Sequence, residues 1–178
     1  MGRFLKFVAV IALIVAGSAV VTSPASAAAP AVTIMHAHSY ACLYQSFNSS
    51  GATITVYFAE SPCAVSGGNA QWRFQYVGGN NEYRVVNNRW DARGLWCLSA
   101  PNGLRNVYAE LCVPGTPAKQ RWRPVVNSPS INGWNRLRNV EAGGCLYRSD
   151  TVGYRHIPMM AGCTSPAAFN NYEDFKWL

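Results

Sequence analysis

Within ten residues of the segment CLYRSDTVGYRH stand two tyrosine rings, a guanidinium, a carboxylate and an imidazole: Tyr147, Arg148, Asp150, Tyr154 and His156. Aromatic faces can cover the apolar side of a ligand while the charged groups hydrogen-bond its polar edge, so this set suits binding of a polar molecule. Each residue taken singly also reads as an exposed turn residue or an edge tyrosine. The central third of the chain offers nothing comparable.

Catalytic signatures are absent from the sequence. It contains no Gly-x-Ser-x-Gly, no His-Glu-x-x-His and no phosphate-cradling glycine loop. Its 8 carboxylates are few for a chain of 178 residues. The nearest histidine pair, His36 and His38, falls on a predicted strand with both rings on one face, but two ligands without a third rarely hold a metal. The cysteines lie at least fifteen residues apart, unlike the close pairs of zinc sites. A non-enzyme with no metal and no cofactor is the expectation.

These side chains need a scaffold, and its beginning is legible. Arg3 and Lys6 precede a charge-free run from Phe7 to Val21, and Ala25-Ser26-Ala27 fits the small-x-small rule for signal cleavage. Residues 1–27 are therefore read as an export signal. The uncharged run is shorter than the ~20 residues that span a bilayer and contains Gly17 and Ser18, which disfavours the rival reading as an anchor. Residues 28–178 then form one domain, expected outside the cell with no membrane span. Without Arg3 and Lys6 that part carries 13 basic and 8 acidic residues, a net +5 spread thinly, which argues against a nucleic-acid surface. All 6 cysteines lie in the exported part, where thiols pair. Sequence alone leaves ~15 pairings open.

An internal repeat organises the domain. Cys-Leu occurs at Cys42, Cys97 and Cys145, and each is followed by a second cysteine, Cys63, Cys112 and Cys163, at gaps of 21, 15 and 18. An aromatic before a basic residue follows in turn: Trp72-Arg73, Trp122-Arg123 and Phe175-Lys176. Short alternating stretches, AVTIMHA, EYRVVNN and NRLRNV, precede each Cys-Leu and read as strands. No apolar periodicity of 3.6 runs long enough for a helix, and three copies cannot close a propeller. Three β units, at about 31–81, 82–133 and 134–178, arranged around a common core are expected.

The repeat resembles the ricin-B-type β-trefoil, whose units begin near Cys-Leu and end in Gln-x-Trp. Gln120-x-Trp122 is intact, Ala70-x-Trp72 departs at one residue, and Glu173-x-Phe175 at two. The resemblance covers nearly all of residues 28–178. It implies an all-β fold of twelve strands, a six-stranded barrel capped by hairpins, with Leu43, Leu98, Leu146, Trp72, Trp122 and Phe175 filling equivalent core layers. A sugar-stacking role for those aromatics is the weaker reading, because a residue at the family's core position is explained first by packing. Symmetry of the units pairs Cys42 with Cys63, Cys97 with Cys112, and Cys145 with Cys163.

Ricin-B-type trefoils generally bind sugars, through a carboxylate two after the first cysteine, an aromatic two before the second, and an amide three before the motif Trp. Here those positions hold Tyr44, Ser99 and Tyr147; Ser61, Glu110 and Ala161; and Asn69, Lys119 and Tyr172. No unit keeps the full set. A rebuilt site is expected instead, with Tyr44 or Tyr147 offering a ring to a sugar, Asn48, Asn102 or Asp150 as polar partners, Asn69 as the surviving amide, and Tyr154 and His156 completing the third unit. Glu60 and Glu110 fall at comparable places in two units, hence on different lobes, which disfavours a catalytic pair. Two functions follow: a secreted lectin-like carbohydrate-binding protein, or a protein-interaction trefoil of the toxin-delivery or protease-inhibitor kind. Trp90, Trp96 and Trp134 discriminate, since a shared exposed face would favour a protein partner and scattering would favour packing.

Overall fold

The computed structural model describes residues 29–36, 39–46, 51–59, 63, 67–101, 106–126, 135–148, 157–163 and 175–177. Twelve strands fall into three sets of four. The first set is β1 (Val32–His36), β2 (Cys42–Gln45), β3 (Thr53–Ala59) and β4 (Gln71–Gly78). The second is β5 (Glu82–Asp91), β6 (Gly94–Ser99), β7 (Tyr108–Leu111) and β8 (Arg121–Val126). The third is β9 (Asn135–Asn139), β10 (Cys145–Arg148), β11 (Pro158–Ala161) and β12 (Phe175–Trp177). Two 3-10 turns, Gly67–Ala70 and Ala118–Gln120, lead into β4 and β8.

The outer strands of each set close a ring. Strand β1 pairs with β4, β4 with β5, β5 with β8, β8 with β9, β9 with β12, and β12 with β1, all antiparallel. This is a six-stranded barrel with no free edge. The inner pairs β2–β3, β6–β7 and β10–β11 form three hairpins, tied to one another by β3–β7 pairing and by the Asn106–Met159 bridge. The fold is a β-trefoil.

Alternation explains the strands. In β3, Ile54, Val56 and Phe58 point inward while Thr53 and Thr55 are exposed. Pro124 sits inside β8 without penalty because the β5 ladder stops at Trp122, so its missing N–H faces no second strand. The β4–β5 turn uses Gly78, Gly79 and Asn81 at positive φ.

The core repeats with the sets. Ile34, Val85 and Leu137 from the first strands, Leu43, Leu98 and Leu146 from the second, and Trp72, Trp122 and Phe175 from the fourth are all fully buried. Trp72 and Trp122 donate their indole N–H to the carbonyls of Leu43 and Leu98 at 3.0 and 2.9 Å, tying the barrel strand to the hairpin strand. Phe175 has no such donor. Disulfides join Cys42–Cys63, Cys97–Cys112 and Cys145–Cys163, with Cα atoms 5.5, 5.0 and 5.1 Å apart. Closing loops of this length stabilises by about 3 kcal/mol each through the unfolded chain.

Two registers differ from the expectation. Leu43 lies opposite Phe58, Leu98 opposite Ala109, and Leu146 opposite Met160, so the counterpart of Glu110 and Ala161 in the first unit is Ala59. Neither Ser61 nor Glu60 takes that place, because the segment between β3 and Cys63 is two residues longer than its equivalents. His36 closes the described span of β1, and His38, its expected partner on one strand face, lies outside the described residues. His36 is buried against Phe58 and Phe175, with Nδ1 receiving the Ser39 N–H and lying 2.9 Å from Ser39 Oγ. No helix among the described residues is long and apolar enough to cross a membrane.

Candidate functional site

The positions that the resemblance marks for sugar contact have different environments in the three units. In the first unit Tyr44, expected to offer a ring at the surface, is buried. Its ring packs on Tyr57 at a centroid distance of 4.8 Å, and Asn69 donates Nδ2–H to its hydroxyl at 3.2 Å. Asn69 is itself buried and its carbonyl accepts from Asn87. Aromatic and amide thus satisfy each other, which leaves neither free for a ligand. Burial, and after it the charge and hydrogen bond of the Tyr44 phenol, raise the Tyr57 phenol above its ordinary range.

In the third unit Tyr147 is half-buried opposite Met159, and Arg148 is buried. Asp150, Tyr154, His156, Asn48, Asn102 and Tyr172 lie outside the described residues.

The second unit, from which no site was expected, brings the most chemistry together. Strands β6 and β7 pair so that Cys97 faces Glu110 and Ser99 faces Tyr108. The 3-10 turn before β8 delivers Lys119 and Gln120 to the same spot. Glu110 accepts the Ser99 hydroxyl at 2.9 Å and the Gln120 amide at 3.0 Å, and Lys119 Nζ lies 3.0 Å from its carboxylate. The motif glutamine explains the geometry. Gln120 Nε2 also donates to the Leu111 carbonyl while its Oε1 accepts the Val113 N–H, so this buried side chain fixes the end of β7 and with it Glu110.

The electrostatics follow from this packing. Hydrogen bonding to Glu110 holds the Lys119 ammonium above its ordinary range, so it stays charged at neutral pH. Burial, reinforced by the Glu110 charge, pushes the Tyr108 phenol up, so it stays protonated. Glu110 Oε2 retains a lone pair, Lys119 retains N–H donors, and Tyr108 adds a phenol and a ring face. The carboxylate can accept from one hydroxyl of a vicinal diol while the ammonium beside it donates to the other. The missed signal was the charge pair: the three positions that the resemblance marks in this unit hold Ser99, Glu110 and Lys119, a hydroxyl and two complementary charges, while Tyr108 lies at none of them.

The discriminating tryptophans do not share a face. Trp90 is 72% exposed and Trp96 1%, and Trp134 lies outside the described residues. Among the described residues no group of His, Cys, Asp and Glu could hold a metal ion.

No protein-family model matches this chain, and no curated protein does. Solved structures do. A designed 3-fold symmetric protein, ThreeFoil, is similar with a TM-score of 0.64 and 16% identity, over 83% of this chain and 97% of that one. The cytolethal distending toxin of Haemophilus ducreyi is similar at TM-score 0.59 and 16% identity, over 82% of this chain and 81% of that one. A Polyporus squamosus lectin bound to the epitope Neu5Aca2-6Galb1-4GlcNAc is similar at TM-score 0.61 and 18% identity, over 85% of this chain and 49% of that one. At these identities the likeness is one of fold, and it is the β-trefoil shared by lectins, toxin components and a designed protein.

Proposed function

We propose that the chain is a secreted, non-catalytic carbohydrate-binding trefoil of ricin-B type whose principal contact lies in the second unit, at Tyr108, Glu110 and Lys119, with the buried Ser99 holding the Glu110 carboxylate in place. The observation that carries this reading is the meeting of carboxylate and ammonium at two of the positions the resemblance marks for sugar contact, with the Tyr108 phenol on the same strand as Glu110 and the carboxylate oriented by three hydrogen-bond donors. A preoriented carboxylate loses little freedom on binding, which favours a neutral sugar diol over bulk water. The likeness to a lectin trefoil supports it, and three disulfides fit an oxidising destination after export. The third-unit set of Tyr147, Asp150, Tyr154 and His156 would be a second contact.

The test is binding of the oxidised protein to a broad panel of glycans and cell-wall polysaccharides, repeated with Glu110→Gln, Tyr108→Ala, Tyr147→Ala and Asp150→Ala. Loss of neutral-glycan binding in the first two variants supports the second-unit site. Loss confined to the last two moves the site to the third unit. Binding to nothing on the panel overturns the carbohydrate reading and turns attention to a protein partner.

A further inference from the structure

One part of the second unit is not required by the barrel. From Met35 to Cys42 and from Arg138 to Cys145 the paired residues are seven apart, whereas from Val86 to Cys97 they are eleven apart. The β5–β6 hairpin is longer by that difference. Its ladder continues through Trp90–Leu95 and Asp91–Gly94, with a register shift between Val86 and Trp90.

The extension is braced. Arg93 pairs with Asp91 at 2.6 Å, donates to the Gly51 carbonyl at 3.1 Å and lies over the Trp96 ring at 4.6 Å. What it carries is an exposed indole, Trp90, beside an exposed Leu95. The two are cross-strand partners, so they form one contiguous apolar surface on a braced hairpin, of the kind that can serve as a contact.

Trp90 and Leu95 wall a cleft of about 400 Å³ whose other lining is Arg73, Gln75, Val86, Asn87 and Asn88. That volume suits a sugar ring or two. The arginines around it are paired: Arg84 donates twice to Gln75 Oε1, and Arg121 and Arg123 both bind Glu82. Arg73, which lines the cleft, differs in forming no ion pair among the described residues; its buried Nε has no hydrogen-bond partner, a feature it shares with Arg121. A buried donor left without an acceptor is unfavourable, so the position is better satisfied with an anion present. The amides add direction. Arg84 occupies Gln75 Oε1, leaving the Gln75 N–H₂ to donate, and Gln71 accepts from Asn88 Nδ2, leaving Asn88 Oδ1 to accept.

We propose that this cleft binds an acidic sugar, a pyranose bearing a carboxylate, with its ring on Trp90 and its carboxylate on Arg73. The negative indole face attracts the polarised C–H groups of a pyranose, and the planar guanidinium fork matches a carboxylate. Gln75 and Asn88 then take ring hydroxyls as acceptor and donor partners. Uronic-acid polymers and sialic-acid-terminated glycans share this chemistry. None of the cleft residues belongs to the Ser99–Glu110–Lys119 cluster, so the two sites are separable.

The experiment measures binding by calorimetry and tryptophan fluorescence for trigalacturonate and sialyllactose, each against its neutral counterpart, galactotriose and lactose. Wild-type protein, Trp90→Ala, Trp90→Phe, Arg73→Gln and Glu110→Gln are compared. The expected result is binding of at least one acidic ligand, a tenfold or greater loss in Trp90→Ala and Arg73→Gln, and substantial retention in Trp90→Phe. Acid binding unchanged in Glu110→Gln separates this cleft from the second-unit diol site. Weakening with added salt is expected of the wild type and not of Arg73→Gln. Which acidic ligand binds distinguishes the two sources. The proposal is overturned if neither acid binds, if neutral counterparts bind equally well, or if acid binding survives both Trp90→Ala and Arg73→Gln. Trp90 is exposed, so its variants should fold normally, and circular dichroism checks this.

Discussion

Replacing Trp122 by Phe would convert the second unit to the arrangement the third unit already has at Phe175. The barrel accepts a phenyl ring there, so the variant should fold, and what it loses can be worked out. The indole N–H donates to the Leu98 carbonyl at 2.9 Å in a fully buried setting. Removing a buried donor costs about 1–3 kcal/mol. The smaller ring leaves a void of roughly 30–40 Å³, adding about 0.7–1 kcal/mol at ~24 cal/mol per Å³. A total of about 2–4 kcal/mol is expected, against about 3–5 for Trp122→Ala. For a domain of this size that lowers Tm by roughly 4–16 °C. Denaturant titration of the oxidised protein, with unchanged m-value, is the assay. A loss below about 0.5 kcal/mol, the level of an ordinary surface change, would refute the idea that these indoles tie barrel to hairpin.

Three further outcomes are expected. Glu82, buried between Arg121 and Arg123, has its carboxyl held below the usual range, chiefly by the Arg123 hydrogen bond. A lowered folded-state pKa stabilises above the unfolded value and loses that contribution as pH falls through the folded one. Glu82→Gln should therefore cost about 1–2 kcal/mol at neutral pH, with the gap to wild type closing in acid; a gap independent of pH would count against the ion-pair account. Tyr40 is 65% exposed at φ 55°, where Gly143 holds the matching place in the third unit at φ 70°, each N–H bonding back to the first strand. Tyr40→Gly should stabilise by about 0.5–1 kcal/mol in thermal unfolding, and a destabilised variant would show that the ring contributes packing. Removing Cys97 and Cys112 together opens a loop of 15 residues and should cost about 3 kcal/mol by denaturant titration, whereas no measurable loss would place the disulfide outside the folding energetics.

The threefold core could be read before any coordinates because its requirements are local and recur. Each unit must present a leucine after its cysteine and a large ring at its end, so Leu43, Leu98 and Leu146 with Trp72, Trp122 and Phe175 stand out at repeated spacing, and the cysteines follow the same symmetry. The site does not recur. Glu110 meets Ser99 across a β ladder and Lys119 from a turn; spacing marked all three positions, but with the carboxylate at the place expected for an aromatic, only the pairing of the strands showed that they form one cluster. Tyr44 appeared available until Tyr57 and Asn69 closed over it, and the two-residue excess before Cys63 moved the first unit's counting away from its true counterpart, Ala59. Trp90 was one of three unassigned tryptophans in the sequence; only the pairing of β5 with β6, extended beyond what the other units need, put it in solvent above Arg73. Periodic burial is written along the chain because every unit faces the same core, whereas binding chemistry depends on which strands become neighbours, and that is decided when the barrel closes.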